Sequence, residues 1–161
     1  AAIVGRADNG QASLSMDAFY SDLFLDGQED MGWYIRDFGF EMRLTAEVPA
    51  HIKKGIADLS QRLLNKINIP LERITKYAIH PGGKRILDVI EEELSIKQGA
   101  NVAAREVMRN FGNMSSPSVL FALKYITDRL SPADEGEHVL SFAFGPGLTM
   151  ESMLLTARNC A

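Results

Sequence analysis

The sequence predicts an α/β domain, a mixed sheet layered with packed helices. Three observations carry that expectation. Apolar side chains alternate at every second position in some stretches and recur every three or four residues in others. The two kinds of stretch follow one another as strands, helix, strand, helix, helix and two strands, an order that suits a layered architecture. One apolar run, Tyr77-Ala-Ile-His80, empties into Pro81-Gly-Gly83 and then directly into a helical pattern, the strand-to-helix joint of such folds. With 161 residues, 46% hydrophobic and 24% charged, the chain can bury one sizeable core, and residues 1–161 are read as a single domain.

Residues 2–5, Ala-Ile-Val-Gly, read as a short buried strand. Starting there, with no initiating methionine and no polar slack, the chain reads as cut from a longer protein. Ala12 to Leu25 alternates and carries Phe19, Tyr20 and Phe24, which predicts a strand running into an irregular segment. After a polar turn at 26–30, residues 32–37 and 40–45 form a hairpin around Phe38-Gly39, with Trp33, Ile35, Phe40, Met42 and Leu44 alternating. A helix starts at Glu47-Val-Pro49, its proline in the first turn. Apolar residues recur from Ile52 to Ile67 until Asn68 and Pro70 end it. Thr75 to Ile79 is a short strand that delivers His80.

The helix after Gly83 runs to about Ser95, with Ile86, Leu87, Ile90 and Leu94 on one face. Its Glu91, Glu92 and Glu93 read as a solvated face. A second short helix covers 101–110. Ser115, Ser116 and Pro117 cap a third, striped by Val119, Leu120, Leu123, Ile126 and Leu130. A polar loop at 131–137 leads to two strands, 139–144 and 148–155, joined by Phe144-Gly-Pro-Gly147.

Composition removes several classes of function. A net charge of -4 and the lack of any basic block argue against nucleic acid and against a membrane surface as partners. No apolar run approaches the ~18 residues a membrane span needs. The one cysteine, Cys160, cannot close an internal disulfide, and its setting gives nothing to activate a thiolate, so a reducing, cytoplasmic compartment is expected. No metal site and no cofactor are expected.

The residues that carry chemistry are His80 and Asn113. His80 lies at the carboxyl end of a strand, where open α/β sheets gather ligands. Gly82 and Gly83 follow, and glycines let a ligand pass close to the backbone. Asn113, in Phe111-Gly-Asn-Met-Ser-Ser-Pro117, repeats the design: a polar side chain on a glycine-flanked turn before a helix. Gly-Asn by itself is also common turn chemistry, but together the two residues could donate hydrogen bonds to one developing oxyanion. His51 and His138 have no such context and read as surface residues. Lys84 and Arg85 read as exposed charges at a helix start.

These motifs, in order and spacing, resemble the type III polyketide synthases, the chalcone and stilbene synthase family. The resemblance is carried by His80-Pro-Gly-Gly83, Gly112-Asn-Met-Ser-Ser116 and Phe144-Gly-Pro-Gly-Leu-Thr-Met-Glu-Ser152, with Ile86-Leu-Asp88 and Val119-Leu-Phe121 in register. It implies a thiolase-like fold built from two similar halves, of which this chain resembles the C-terminal one. Family members load an acyl group from coenzyme A onto a cysteine of the N-terminal half, then decarboxylate malonyl-CoA and condense the enolate with the thioester. That half, with its nucleophile, is absent here, so the chain alone is expected to be inert.

The resemblance assigns His80 and Asn113 as catalytic. It also assigns Gly82 and Gly83 to the pantetheine tunnel, and Gly145, Pro146 and Gly147 to the loop shaping the cyclisation cavity. Malonyl-CoA and acyl-CoA are the implied substrates, and a homodimer the implied assembly. The chain departs from plant members at Met42, where a pocket phenylalanine is usual, and at Trp33, near a position often small. An indole there narrows or redirects the cavity, or simply fills core. Ranked behind this reading are an initiating ketoacyl synthase of fatty-acid synthesis and a non-catalytic binding or assembly domain of the same fold.

Overall fold

The structure, a computed structural model, describes residues 4–5 and 10–160. Its centre is a four-stranded mixed sheet made from β1 (Ser13–Leu23), β4 (Ile74–Ile79), β5 (His138–Gly145) and β6 (Thr149–Arg158), in the order β1-β6-β5-β4. The strands β5 and β6 form an antiparallel hairpin, β1 runs antiparallel to β6 with a register slip between Met16 and Ala18, and β4 lies parallel to β5. A parallel neighbour needs a long crossover. Here it holds α2 (Lys84–Glu93), α3 (Val102–Phe111) and α4 (Pro117–Thr127), while α1 (Val48–Asn65) precedes β4.

Successive residues of a strand point to opposite faces, and both faces of this sheet are covered. On one side Tyr77, Ile79, Leu140, Phe142 and Leu154 meet Ile52, Ile56, Leu59 and Leu63 of α1 and Ile86, Leu87 and Ile90 of α2. On the other, Ala78, Val139 and Leu155 meet Ala103 and Val107 of α3 and Ala122 and Ile126 of α4. A third unit stands apart: β2 (Met31–Arg36) and β3 (Gly39–Leu44) pair as a two-stranded ribbon of their own.

The expected elements are present, with bounds shifted by one to three residues. The strand expected over 2–5 falls mainly outside the described residues, and Val4 and Gly5 are exposed and irregular. Three expectations are overturned. Glu91 is no solvated face: it takes two hydrogen bonds from Arg105, at 3.0 and 2.6 Å, and one from Asn101 at 2.8 Å, which locks α2 to the start of α3. Ser116 makes no side-chain cap. The Ser118 hydroxyl accepts from the Met114 N–H instead, and Pro117 opens α4, since a proline has no N–H to leave unsatisfied there. His51 and His138 are half-buried: His51 binds Asp30 at 3.0 Å and His138 binds the Thr156 hydroxyl at 3.0 Å.

Trp33 does not fill core either, being 51% exposed on the ribbon. Cys160 is buried beside Glu135, and burial followed by that carboxylate pushes its thiol pKa up. Among the described residues no helix is long and apolar enough to cross a membrane.

The packing makes a direct prediction. Phe142 is fully buried where β5 faces α1 and α2, so Phe142→Ala leaves a cavity and lowers unfolding free energy by about 3–5 kcal/mol in urea denaturation. Phe38, fully exposed at the ribbon tip, gives a change within about 0.5 kcal/mol on Phe38→Ser.

Candidate active site at the carboxyl edge of the sheet

Because β4 and β5 are parallel, their carboxyl ends lie along one edge of the sheet. β4 delivers His80 there, its N–H continuing the ladder to the Phe142 carbonyl at 2.8 Å. β5 delivers Gly145-Pro146-Gly147 at the same edge. After His80 the chain turns at once: the Gly82 N–H bonds back to the His80 carbonyl at 2.9 Å, and Gly83 serves as the N-cap of α2.

The second loop reaches the first through its asparagine. α3 ends at Gly112, whose φ of 68° with ψ of -160° only glycine adopts without strain. The chain then folds so that Asn113 Oδ1 accepts from the Ser115 N–H at 2.8 Å. That bond fixes which end of the amide is nitrogen, and Nδ2 donates to the Gly82 carbonyl at 3.0 Å. One of the two amide N–H groups is thereby used and the other is left for a ligand.

His80 approaches Gly82 from its other side. A methyl group added at Gly82 would lie 3.5 Å from His80 Cδ2 and 3.6 Å from Nε2, and 3.1 Å from Ile86 Cδ1. Gly82 is thus the meeting point: the imidazole edge that carries Nε2 lies within contact of the place a Cβ would occupy, and the Asn113 amide donates to its carbonyl. Gly83 differs, since a side chain there would meet nothing within 4 Å. Nothing in this chain's packing requires Gly83 to be glycine.

His80 is 8% exposed, and burial alone lowers its pKa below the usual 6.5. The imidazole of this chain is therefore neutral at pH 7, with one ring nitrogen a donor and the other an acceptor.

The other residues singled out in the sequence lie around this edge at different removes. Gly82 and Gly83 line a recess of about 270 Å³ together with Leu44, Thr45, Val48 and Lys84, so the foot of the ribbon forms its opposite wall. Lys84 and Arg85 are exposed. Gly147 donates its N–H to the Met31 carbonyl at 2.6 Å, which ties the loop after β5 to the start of the ribbon. Trp33 and Met42 are direct cross-strand partners farther out, on the ribbon face that also carries Met31, Ile35, Phe40 and Leu44.

A larger cleft of about 840 Å³ lies toward the other end of β4, lined by Ile74, Tyr77, Leu94 and Ile126 among others. Neither this cleft nor the smaller recess is lined by His80 or Asn113 themselves. The volume of the cleft is greater, whereas His80 and Asn113 both lie beside Gly82 at the carboxyl edge. Beside the small recess is a polar cluster the sequence does not announce, Asp30, Thr45 and His51, whose members are 15 and 21 residues apart. Among the described residues no group of three or more His, Cys, Asp or Glu side chains is arranged to hold a metal ion.

A titration tests the His80 environment. A histidine with a depressed folded-state pKa leaves stability intact above 6.5. Between 6.5 and the folded value the unfolded chain binds the proton first, so stability falls as pH drops, and it levels off below the folded value. The expected NMR midpoint for the His80 ring is below 6.5. His80→Gln should flatten its share of the loss as pH falls through and below 6.5; a midpoint above 6.5 would contradict a desolvated ring.

Residues 18–158 match the family model described as chalcone and stilbene synthases, C-terminal domain. Among solved structures, the chain is similar to the C-terminal type III polyketide synthase domain of Steely1, a type I/III hybrid from Dictyostelium. That match has 30% identity and a TM-score of 0.80 over 89% of this chain. It is also similar to PKS-I from the brown alga Ectocarpus siliculosus, with 26% identity and a TM-score of 0.82 over 93% of this chain. The chain spans 40% of the length of each.

Proposed function

Because the chain belongs to the chalcone and stilbene synthase family, as its C-terminal domain with a thiolase-like fold, we propose that it is half of a condensing acyltransferase. The complete enzyme joins an acyl-CoA starter to malonyl-CoA by decarboxylative Claisen chemistry. The observation that carries the reading is the convergence of two loops on Gly82, with the His80 ring on one side and the Asn113 amide on the other. An imidazole N–H and a carboxamide N–H brought together from separate loops suit an oxygen on which charge builds up.

The step they serve is the loss of carbon dioxide from a malonyl thioester. The breaking C–C bond leaves its electron pair on the α-carbon, and the thioester oxygen takes up the charge as an enolate. Two donors aimed at that oxygen stabilise the transition state more than the ground state. A neutral His80 donates one N–H without an ionisation change. When a cysteine thiolate from the other half lies within ~4–6 Å of the ring, its charge raises the His80 pKa against the effect of burial and favours an imidazolium–thiolate pair. The same imidazole thus prepares the nucleophile in one step and holds the enolate in the next.

The glycines fit a tunnel role, since the open space over Gly83 leaves room for a pantetheine arm beside the backbone. The ribbon's exposed Trp33 and Met42 supply one wall of the acyl cavity, and Gly145-Pro146-Gly147 another. An indole at Trp33 leaves less room than a small residue, so the reading does not extend to a chalcone product. Coenzyme A thioesters enter as substrates, with no resident cofactor, and the full enzyme pairs as a homodimer. Alone, without a nucleophile, the chain is inert.

The test uses the longer polypeptide that the reading requires, assayed for malonyl-CoA decarboxylation. His80→Ala and Asn113→Ala are each expected to lower the rate roughly 100- to 1000-fold. Unchanged rates in both would take the pair out of the mechanism. A preference for malonyl-CoA over malonyl carried on an acyl carrier protein separates this reading from an initiating ketoacyl synthase.

A further inference from the structure

The ribbon β2–β3 shares no backbone ladder with the four-stranded sheet, and a two-stranded ribbon by itself is marginal in water. Its angle to the domain is set at its two feet, and one carboxylate holds both. Asp30, the residue before β2, accepts through Oδ1 from the hydroxyl of Thr45, the residue after β3, at 2.7 Å. Its other oxygen, Oδ2, meets His51 Nε2 on the first turn of α1 at 3.0 Å. The Thr45 N–H adds a bond to the Asp30 carbonyl at 2.9 Å. The Thr45 hydroxyl first, and then His51, hold the Asp30 carboxyl below its usual range, so it stays an ionised acceptor.

His51 is equally constrained. With an ionised acceptor facing Nε2, the proton must be on that nitrogen. Nδ1 is buried and has no hydrogen-bond partner among the described residues, so a single polar bond orients the ring. Packing does the rest: the Phe24 ring is 5.7 Å away, and a methyl group at Gly27 would come within 3.1 Å of His51 Cγ and collide with Leu148. Leu148 follows the Gly145-Pro146-Gly147 loop, and Gly147 is bonded to Met31, the neighbour of Asp30. The carboxylate, the loop and the ribbon therefore meet within a few residues of one another.

We propose that Asp30 and His51 are positioning residues of the condensing site. Their clasp fixes the ribbon's angle, and with it the gap between the Trp33–Met42 pair and the Gly145-Pro146-Gly147 loop in which an acyl chain would lie. This rests on the function proposed above. Leverage makes the clasp matter: Trp33 stands about 10 Å out along a strand rising ~3.3 Å per residue. A tilt of about 6° at the foot moves it about 1 Å, a displacement that alters selection among chain lengths.

Hydrogen exchange on this chain separates the clasp from the catalytic reading. Asp30→Ala and His51→Ala are expected to speed amide exchange in β2 and β3 by roughly tenfold while β5 and β6 keep their protection. Trp33, the one tryptophan in the sequence, reports the same loosening as a lower fluorescence anisotropy. His51→Gln keeps an N–H within reach of Asp30 and should restore most of the protection. In the longer polypeptide, the alanine variants shift the ratio of long to short starters consumed by more than about threefold. Unaltered ribbon exchange in both alanine variants overturns the clasp, as does a His51→Gln variant as loose as His51→Ala. A loosened ribbon with an unaltered starter ratio removes its role in selection. If the unsubstituted polypeptide consumes no malonyl-CoA, the condensing reading fails by itself, and the exchange measurements still decide whether Asp30 and His51 hold the ribbon.

Discussion

The parallel pairing of β4 with β5 is the constraint on which the site depends. Had these strands been antiparallel, His80 and the Gly145-Pro146-Gly147 loop would emerge at opposite edges of the sheet. Parallel strands require a crossover, and the crossover supplies both the helix that begins at Lys84 and the loop that presents Asn113. The cost of such pairing is entropic, because loop closure must precede any contact between β4 and β5. Burial on both faces offsets it: Ala78, Ile79, Val139, Leu140 and Phe142 are all fully enclosed. A sheet so covered is rigid, and a rigid edge keeps an imidazole and an amide in fixed relation.

Small residues then decide how near the two loops come. Asn113 reaches Gly82 across 31 residues of sequence by a single hydrogen bond. A methyl group on the Gly82 α-carbon would press on Ile86 Cδ1 at 3.1 Å and meet the His80 edge in ordinary contact at 3.5 and 3.6 Å. The left-handed backbone at Gly112 and Ser115 gives the asparagine loop its tight turn. Two positive-φ residues therefore lie within four positions of one another in the loop that carries Asn113. That distribution fits a binding edge carried on a stable scaffold.

Most of the fold was legible because its signals are local and periodic. The stripe of α1 and the alternation of β5 and β6 each place one face in the core, as the period of their apolar residues requires. The glycine-flanked His80 and Asn113 were legible for the same reason, as strand end and helix start leave marks in neighbouring residues. What was not legible depends on partners far away in sequence. Glu91 reads as one of three exposed glutamates until Arg105 and Asn101 are folded against it. Asp30 reads as a turn residue and His51 as a surface one, because neither carries any mark of the other. Trp33 is the reverse case: a large apolar side chain argues for burial, and its exposure comes from the ribbon leaving the sheet.

That exposure connects the fold to the proposed function. Trp33, Ile35, Phe40, Met42 and Leu44 all lie on one face of the ribbon, and Phe111, Leu120 and Phe121 cluster on the outer side of α3 and α4, with the rings of Phe111 and Phe121 5.3 Å apart. Contiguous exposed apolar side chains of this kind mark surfaces that meet another body. The helices α3 and α4 run into and out of the loop that carries Asn113, and the ribbon's foot walls the recess beside Gly82 and Gly83. Both apolar surfaces therefore border the polar edge. A body that covered them would exclude water from the space above His80 and Asn113, and hydrogen bonds to a developing enolate are strongest in such a dry enclosure. His80 is already buried within this chain, so one side of that enclosure is in place.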